Sequence, residues 1–490
     1  MKKPVKTAFV SALALLMLSG CAAVPAGAAE SLSAANLSAG TVPTATLSAS
    51  TPDTAVSDRD ATGEYDASEA ETLSPDGDLT ITEAGTYILS GDYDGMIVIE
   101  TGEEDKVQLV LENAAITNGS GPAIYIRRAD KVFITAAPGS VNMISDSPDY
   151  SLIDGDTTPD AAVFSKEDLT INGSGSLTIN GSYKHAVVSK DDLVVTAKDL
   201  TVNAQNVGLN GKDSVRLSEA AVSITAGSDG IRSDNGEDAG KGFVSVVDST
   251  VTIASGKDGI QAETVLTAEN SDITVTSGGG SGARSGIASE SCKGVKAGNA
   301  ITINGGSCRI DSFDDAIHAN GTILISDGLF TLLSRDDGIH ANDKVWISGG
   351  TLNVTAHEGI EGTYILISGG DITIVASDDG INAARKTSVC TPTVEITGGT
   401  VSVTMGAGDT DGVDSNGNIY ISGGMISVNG QSAFDYDGSA SFTGGTLYVN
   451  GQQVSTIPNQ MMGGFGGIPG NQGGFGRDPG SMGGGSGRHH

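Results

Sequence analysis

Aromatic side chains are scarce in this 490-residue chain, and no stretch repeats its apolar residues at the 3.6-residue period of an amphipathic helix, which excludes a helical bundle. Basic residues are outnumbered 27 to 60 by acidic ones, and the formal charge of −33 excludes the clustered Lys and Arg that nucleic-acid phosphates require. Four cysteines, one of them near the N-terminus, leave an odd three for the body of the chain and no disulfide framework. Cys308 falls where other repeats place a core Leu or Ile, and is expected to be a buried thiol. The EF-hand pattern, the Gly-Gly-x-Gly-x-Asp nonapeptide and the Leu-x-x-Leu-x-Leu repeat are all missing.

What the chain has instead is glycine, 70 of them, with Thr, Val, Ile and Ser in short alternating runs, the composition of short strands between tight turns. One segment, Arg335-Asp336-Asp337-Gly338-Ile339-His340-Ala341, recurs in imperfect copies from about Asn206 to Gln431. The small residues at the centres of successive copies, such as Ala316, Gly338, Gly359 and Gly380, are 21 or 22 residues apart wherever no insertion intervenes. Three strands of about 5 residues and three turns fill that length. The expected fold is therefore all-β, a right-handed single-stranded parallel β-helix with rungs of 21–22 residues. In this register Ile325, Ile347, Ile367, Ile396 and Ile421 form one inward ladder, and Phe330, Leu352, Ile372, Val401 and Ile426 another. The Ser-Gly-Gly before each second strand reads as a turn needing positive φ.

The N-terminus carries Lys2, Lys3 and Lys6 before an apolar run from Ala8 to Leu18, which suits an export signal. Leu18-Ser19-Gly20-Cys21 resembles a bacterial lipobox, with Cys21 lipidated and holding the protein on the outer face of the membrane; secretion by cleavage near Ala28 or Ala29 is the alternative. The expected divisions are a signal at 1–20, a flexible Ser/Thr/Ala-rich tether at 21–72, the β-helix at 73–455, and a disordered Gly-rich tail at 456–490. Four insertions, Asn142 to Asp160, Asp234 to Gly242, Ser277 to Ser291 and Ala384 to Thr393, all flank the corner made by the repeated acidic turn, as loops walling a binding surface would.

The residue before the central Gly or Ala runs Asp229, Asp258, Lys293, Asp315, Asp337, Glu358, Asp379, Asp411, Ser432. Asp-Gly is a good turn pair, but a turn needs one acid, and Asp314, Asp336, Asp378, Glu361 and Asp414 add more. Carboxylates stacked at the strand spacing of about 4.8 Å repel by roughly 3 kcal/mol at an effective dielectric of about 20. Calcium, taking six to eight oxygens in loose geometry, relieves this at neutral pH. The expected ligands are Asp314, Asp315, Asp336, Asp337, Glu358, Glu361, Asp378, Asp379, Asp411 and Asp414. The next outward column holds Lys296, His318 and His340; with Lys293, Arg335, Arg385 and Lys386 these cations, beside bound calcium, form a place for the carboxylates of an acidic ligand. His318 and His340 read equally well as partners of neighbouring acids. A third column, Leu324, Trp346, Leu366, Glu395, Tyr420, presents either a sugar-stacking face or a surface under the tail.

The repeated xDGIxA and ISGGxLxVxA units, the LTITEAGTYILSGDYDG segment, the lipobox and the Gly-rich tail together resemble the clostridial cell-surface carbohydrate-binding β-helix proteins, over about Leu73 to Gly451. The resemblance implies a right-handed parallel β-helix with calcium in its acidic turns, binding polygalacturonate-type polysaccharide and related in fold to family nine pectate lyases. Those lyases use a lysine to take a proton beside the uronate carboxylate, with calcium acidifying that position. Here Lys293, Lys296 and Lys386 are candidates by proximity alone, so binding is expected over catalysis. A pectate lyase and a calcium-stiffened adhesin or envelope spacer remain the rivals.

Overall fold

The computed structural model describes residues 52–459, apart from 75, 152–158, 284–290, 407 and 409. The expected signal, Cys21 with its lipid, most of the tether and the Gly-rich tail lie outside the described residues. The described chain is almost entirely β: forty strands in one continuous hydrogen-bonded sheet, and a single five-residue helix, Asp58–Thr62. Described strands pair in parallel with the strand one coil further on, until Gln452–Val454 turns back antiparallel on Thr446–Val449.

Alternation along the strands decides what fills the coil. Ile325, Ile347, Ile367, Ile396 and Ile421 pair in that order, and so do Phe330, Leu352, Ile372, Val401 and Ile426. All ten are fully buried, as the 21–22-residue register requires. Cys308 pairs with Ile273 and Phe330 in the second series, and burial pushes its thiol up to about 12. In the Ser-Gly-Gly turns the second glycine has positive φ, +89° at Gly350 and +94° at Gly370. Gly338 is constrained differently. Its missing Cβ would stand 2.2 Å from Val354 Cγ1, so the small residue at the acidic corner is set by close packing against the core.

One boundary differs from expectation. Residues 52–72, read as flexible tether, lie against the coil. Ser57 caps the helix in a capping box, and Asp60, 3% exposed, meets Lys131 Nζ at 2.8 Å and accepts from the Thr170 hydroxyl. Asn172 Nδ2 and Thr196 Oγ1 donate to the Asp60 carbonyl at 3.1 and 2.6 Å, and Glu71–Leu73 pairs with Tyr87–Leu89. Polar bonds to an outward face dock this segment, which is why a search for apolar periodicity does not find it.

Candidate functional site

At each acidic corner the strand resumes with one inward Ile or Val, and the residue after it faces outward. The register stacks Arg232, Gln261, Lys296, His318, His340, Glu361, Asn382, Asp414 and Asp435 in one column. The residue before the central Gly lies beside it. His318 Nδ1 is 2.7 Å from Asp315, His340 Nδ1 2.6 Å from Asp337, and Arg232 3.4 Å from Asp229.

These carboxylates also cap the coil. Asp258 accepts the backbone N–H of Lys293 at 2.8 Å, Asp315 that of Asp337 at 3.2 Å, and Asp379 that of Asp411 at 3.0 Å. One oxygen thus ties each of these corners to the next coil, and the sequence repeats acid there partly for that reason.

From Lys293 to Glu361 the corner carries its own cations. Lys293 Nζ lies 2.9 Å from Asp314 and 2.8 Å from Asp315, and Lys386 Nζ 2.6 Å from Glu361. Asp314, Asp315 and Asp336 converge within 4.8 Å of one another, as do Asp337, His340 and Glu361, and Asp315, His318 and His340. Burial opposes the charge of Asp315, but the His318 hydrogen bond and the Lys293 ammonium outweigh it and hold the carboxyl well below the usual range. Burial pushes Asp337 up to about 8, with Asp315 and Glu361 adding to it. His340 is also pushed up, because Asp337, Asp315 and Glu361 overcome its burial, so the His340–Asp337 pair keeps a proton at neutral pH. Lys293 and Lys386 are likewise pushed up, their acidic neighbours outweighing burial.

From Glu358 onward the balance changes, and at Glu358 itself the Lys386 charge offsets the rise only in part. Burial, then the charges of Glu361 and Asp379, push Glu358 up to about 7. Burial, then Asp378, Asp411 and Glu361, push Asp379 up to about 6. Burial, then Asp379, Asp411 and Asp435, push Asp414 up to about 7. Asn382 sits among them at 9% exposure; its Nδ2 donates to Glu358 at 3.0 Å, while its buried Oδ1 has no protein partner. The buried Asp435 Oδ1 is also without one.

Of the expected cation ligands, then, Asp314, Asp315, Asp336, Asp337 and Glu361 share their corner with Lys or His. Glu358, Asp379 and Asp414 are pushed up by burial and by neighbouring acids, Asp411 among them, and Asp378, more exposed, lies 3.8 Å from His357. Of the expected ligand-receiving cations, Lys293, His318, His340 and Lys386 are tied to acids, and Lys296 lies 3.3 Å from Asp258. Arg335 lies over the Phe313 ring and donates to the Ala283 carbonyl, and Arg385 is exposed. The column alignment carries the signal for Asp435; Asn382's orphan oxygen needed the fold.

A sequence profile described as carbohydrate-binding domain-containing protein matches residues 75–338 and 333–457. The chain belongs to this family. A carbohydrate-binding domain-containing protein of Acetivibrio thermocellus is 37% identical over 129 residues, 26% of this chain and 45% of that protein. The match therefore spans less than half the length of that relative. A solved structure, the polysaccharide lyase-like protein from C. thermocellum as a gadolinium derivative, has 28% sequence identity and covers 52% of this chain and 95% of its own, with a TM-score of 0.42.

Proposed function

We propose that this protein binds acidic, pectin- or polygalacturonate-like polysaccharide through calcium held at the acidic corner, on a right-handed parallel β-helix lipid-anchored outside the cell through Cys21. The observation that carries the reading is the run from Glu358 to Asp435, where half-buried carboxyls are pushed up by burial and by acidic neighbours and two buried oxygens, Asn382 Oδ1 and Asp435 Oδ1, have no protein partner. An all-oxygen donor set of this kind suits a hard divalent cation with loose geometry. Glu358, Asp379, Asp411 and Asp414 would hold it, with Asn382 contributing a neutral oxygen. Calcium bound there supplies the positive charge that an acidic sugar chain needs on a surface of net negative charge. The corner from Lys293 to Glu361 fits calcium less well, because Lys293, His340 and Lys386 already neutralise its acids.

Binding is favoured over lyase chemistry by the state of the lysines. A proton-abstracting lysine works best when held below its ordinary range, whereas Lys293 and Lys386 are held above it. Lys296 is engaged by Asp258 and by Ser291 Oγ at 3.4 Å. The test is retention on polygalacturonate with calcium and with chelator, while ultraviolet absorbance follows unsaturated uronate. Calcium-dependent retention without new absorbance supports the proposal. Rising absorbance overturns it in favour of a lyase, and neither signal leaves the spacer.

A further inference from the structure

A second surface lies along another outward column. Its register runs without a break from Phe133 through Thr170 and Arg216 to Trp346 and Tyr420. The upstream half is covered by the chain itself: Arg59 lies over the Phe133 ring at 4.4 Å, Thr170 donates to Asp60, and Arg216 donates to the Ala55 carbonyl at 2.9 Å. This face therefore already holds one polymer running along the axis of the coil, with side-chain donors meeting its oxygens.

Downstream of Ser245, Thr267 and Thr302, the column turns apolar. Trp346 has Leu324 and Leu366 on the adjacent coils, each half-buried, and Tyr420 further on is 36% exposed. An outward tryptophan between two outward leucines, where the same column upstream holds Ser and Thr, is a continuous apolar stripe on a strand face. The indole is held in place, since Nε1 donates to Ser368 Oγ at 3.1 Å. Glu395, the one acid of the stripe, accepts from the Tyr364 hydroxyl. The stripe lies six residues beyond His340 on the strand Ile339–Ile347, past the register shift between Ala341 and Lys344.

We propose that this stripe is a second carbohydrate-binding surface, stacking an unbranched chain of equatorially substituted pyranoses on Trp346 and Tyr420 without calcium. Such sugars present flat C–H faces to an aromatic ring and hydroxyls at their edges, matching an apolar stripe bordered by Ser348 and Ser368. The inference rests on family membership and on this column, and stands apart from the acidic corner.

Trp346 is the sole tryptophan, so the selectively excited tryptophan emission of the full chain reports on this site alone. With excess chelator present, cello- and xylo-oligosaccharides are expected to shift the emission to the blue and to protect it from acrylamide. Trp346→Ala is expected to weaken retention on an insoluble β-1,4-glucan about tenfold or more, Trp346→Phe to keep most of it, and Tyr420→Ala to fall between. No spectral response to either oligosaccharide overturns the proposal. So does emission already blue and quencher-resistant without glycan, which means that the chain's own terminal segments cover the stripe. A response seen only with oligogalacturonide and calcium overturns it too, while supporting the acidic corner.

Discussion

Replacing Glu358, Asp379 and Asp414 together by Gln, Asn and Asn should make the calcium-free protein more stable, not less. The substitutions keep the contacts: the amide oxygen introduced at position 358 can still accept from Asn382, and the one introduced at position 379 from the Asp411 N–H. What they remove is charge. Moving a carboxyl from 4.5 to about 7, as at Glu358, or from 3.8 to about 6 and about 7, as at Asp379 and Asp414, costs the folded state on the order of 3 kcal/mol per group once ionised. Partial exposure and repulsions shared among the three reduce this to about 1 kcal/mol each. The sign follows from the direction. A carboxyl raised on folding contributes its stability below the ordinary carboxylate range, and that contribution is lost as pH rises through 6 to 7. In chelator at pH 8 the variant should therefore unfold about 3–4 °C above the parent, and at about pH 3, below the unfolded carboxyl range, the two should nearly coincide. Calcium at pH 8 should raise the parent and leave the variant unmoved. A variant less stable than its parent in chelator at pH 8 would refute the reasoning, since these acids would then be satisfied without a cation.

Other expectations follow from single contacts. Gly338→Ala should destabilise by about 1–3 kcal/mol because its Cβ meets Val354 Cγ1, and Val354→Ala in the same chain should recover part of the loss in urea unfolding. Ile367→Ala, deep in an inward ladder, should cost about 2–5 kcal/mol, read as faster hydrogen exchange in the coils on either side. Lys293→Met leaves buried Asp315 and its neighbour Asp314 without their ammonium, and should cost about 3 kcal/mol unless calcium is added; a fully stable variant in chelator would contradict the pairing. Asp60→Ala should release residues 52–65 to limited proteolysis while the coil keeps its far-ultraviolet spectrum. Asp60 is held low by Lys131, Ser57 and Thr170 against its burial, so the parent clasp should loosen only as pH falls below the ordinary carboxylate range.

The sequence by itself determined the repeat. With an alternation of two and a period of 21–22, each side chain's face and its partner on the next coil follow arithmetically, and the two inward ladders, the corner column and the Trp346 column all stand where that arithmetic puts them. It also determined the carbohydrate reading, because a pattern spread over many repeats survives the decay of single copies. Only the tertiary structure decided which acids meet which cations. Lys293 reaches Asp315, 22 positions ahead, and Lys386 reaches Glu361, 25 positions back; both join corners that the chain order separates. It alone revealed the clasp, whose Asp60 gathers Lys131, Thr170, Asn172 and Thr196 from three coils. Hydrophobic burial repeats along the chain and can be read from it, whereas compensation of buried charge depends on which side chains arrive together, and that is settled only when the coils stack.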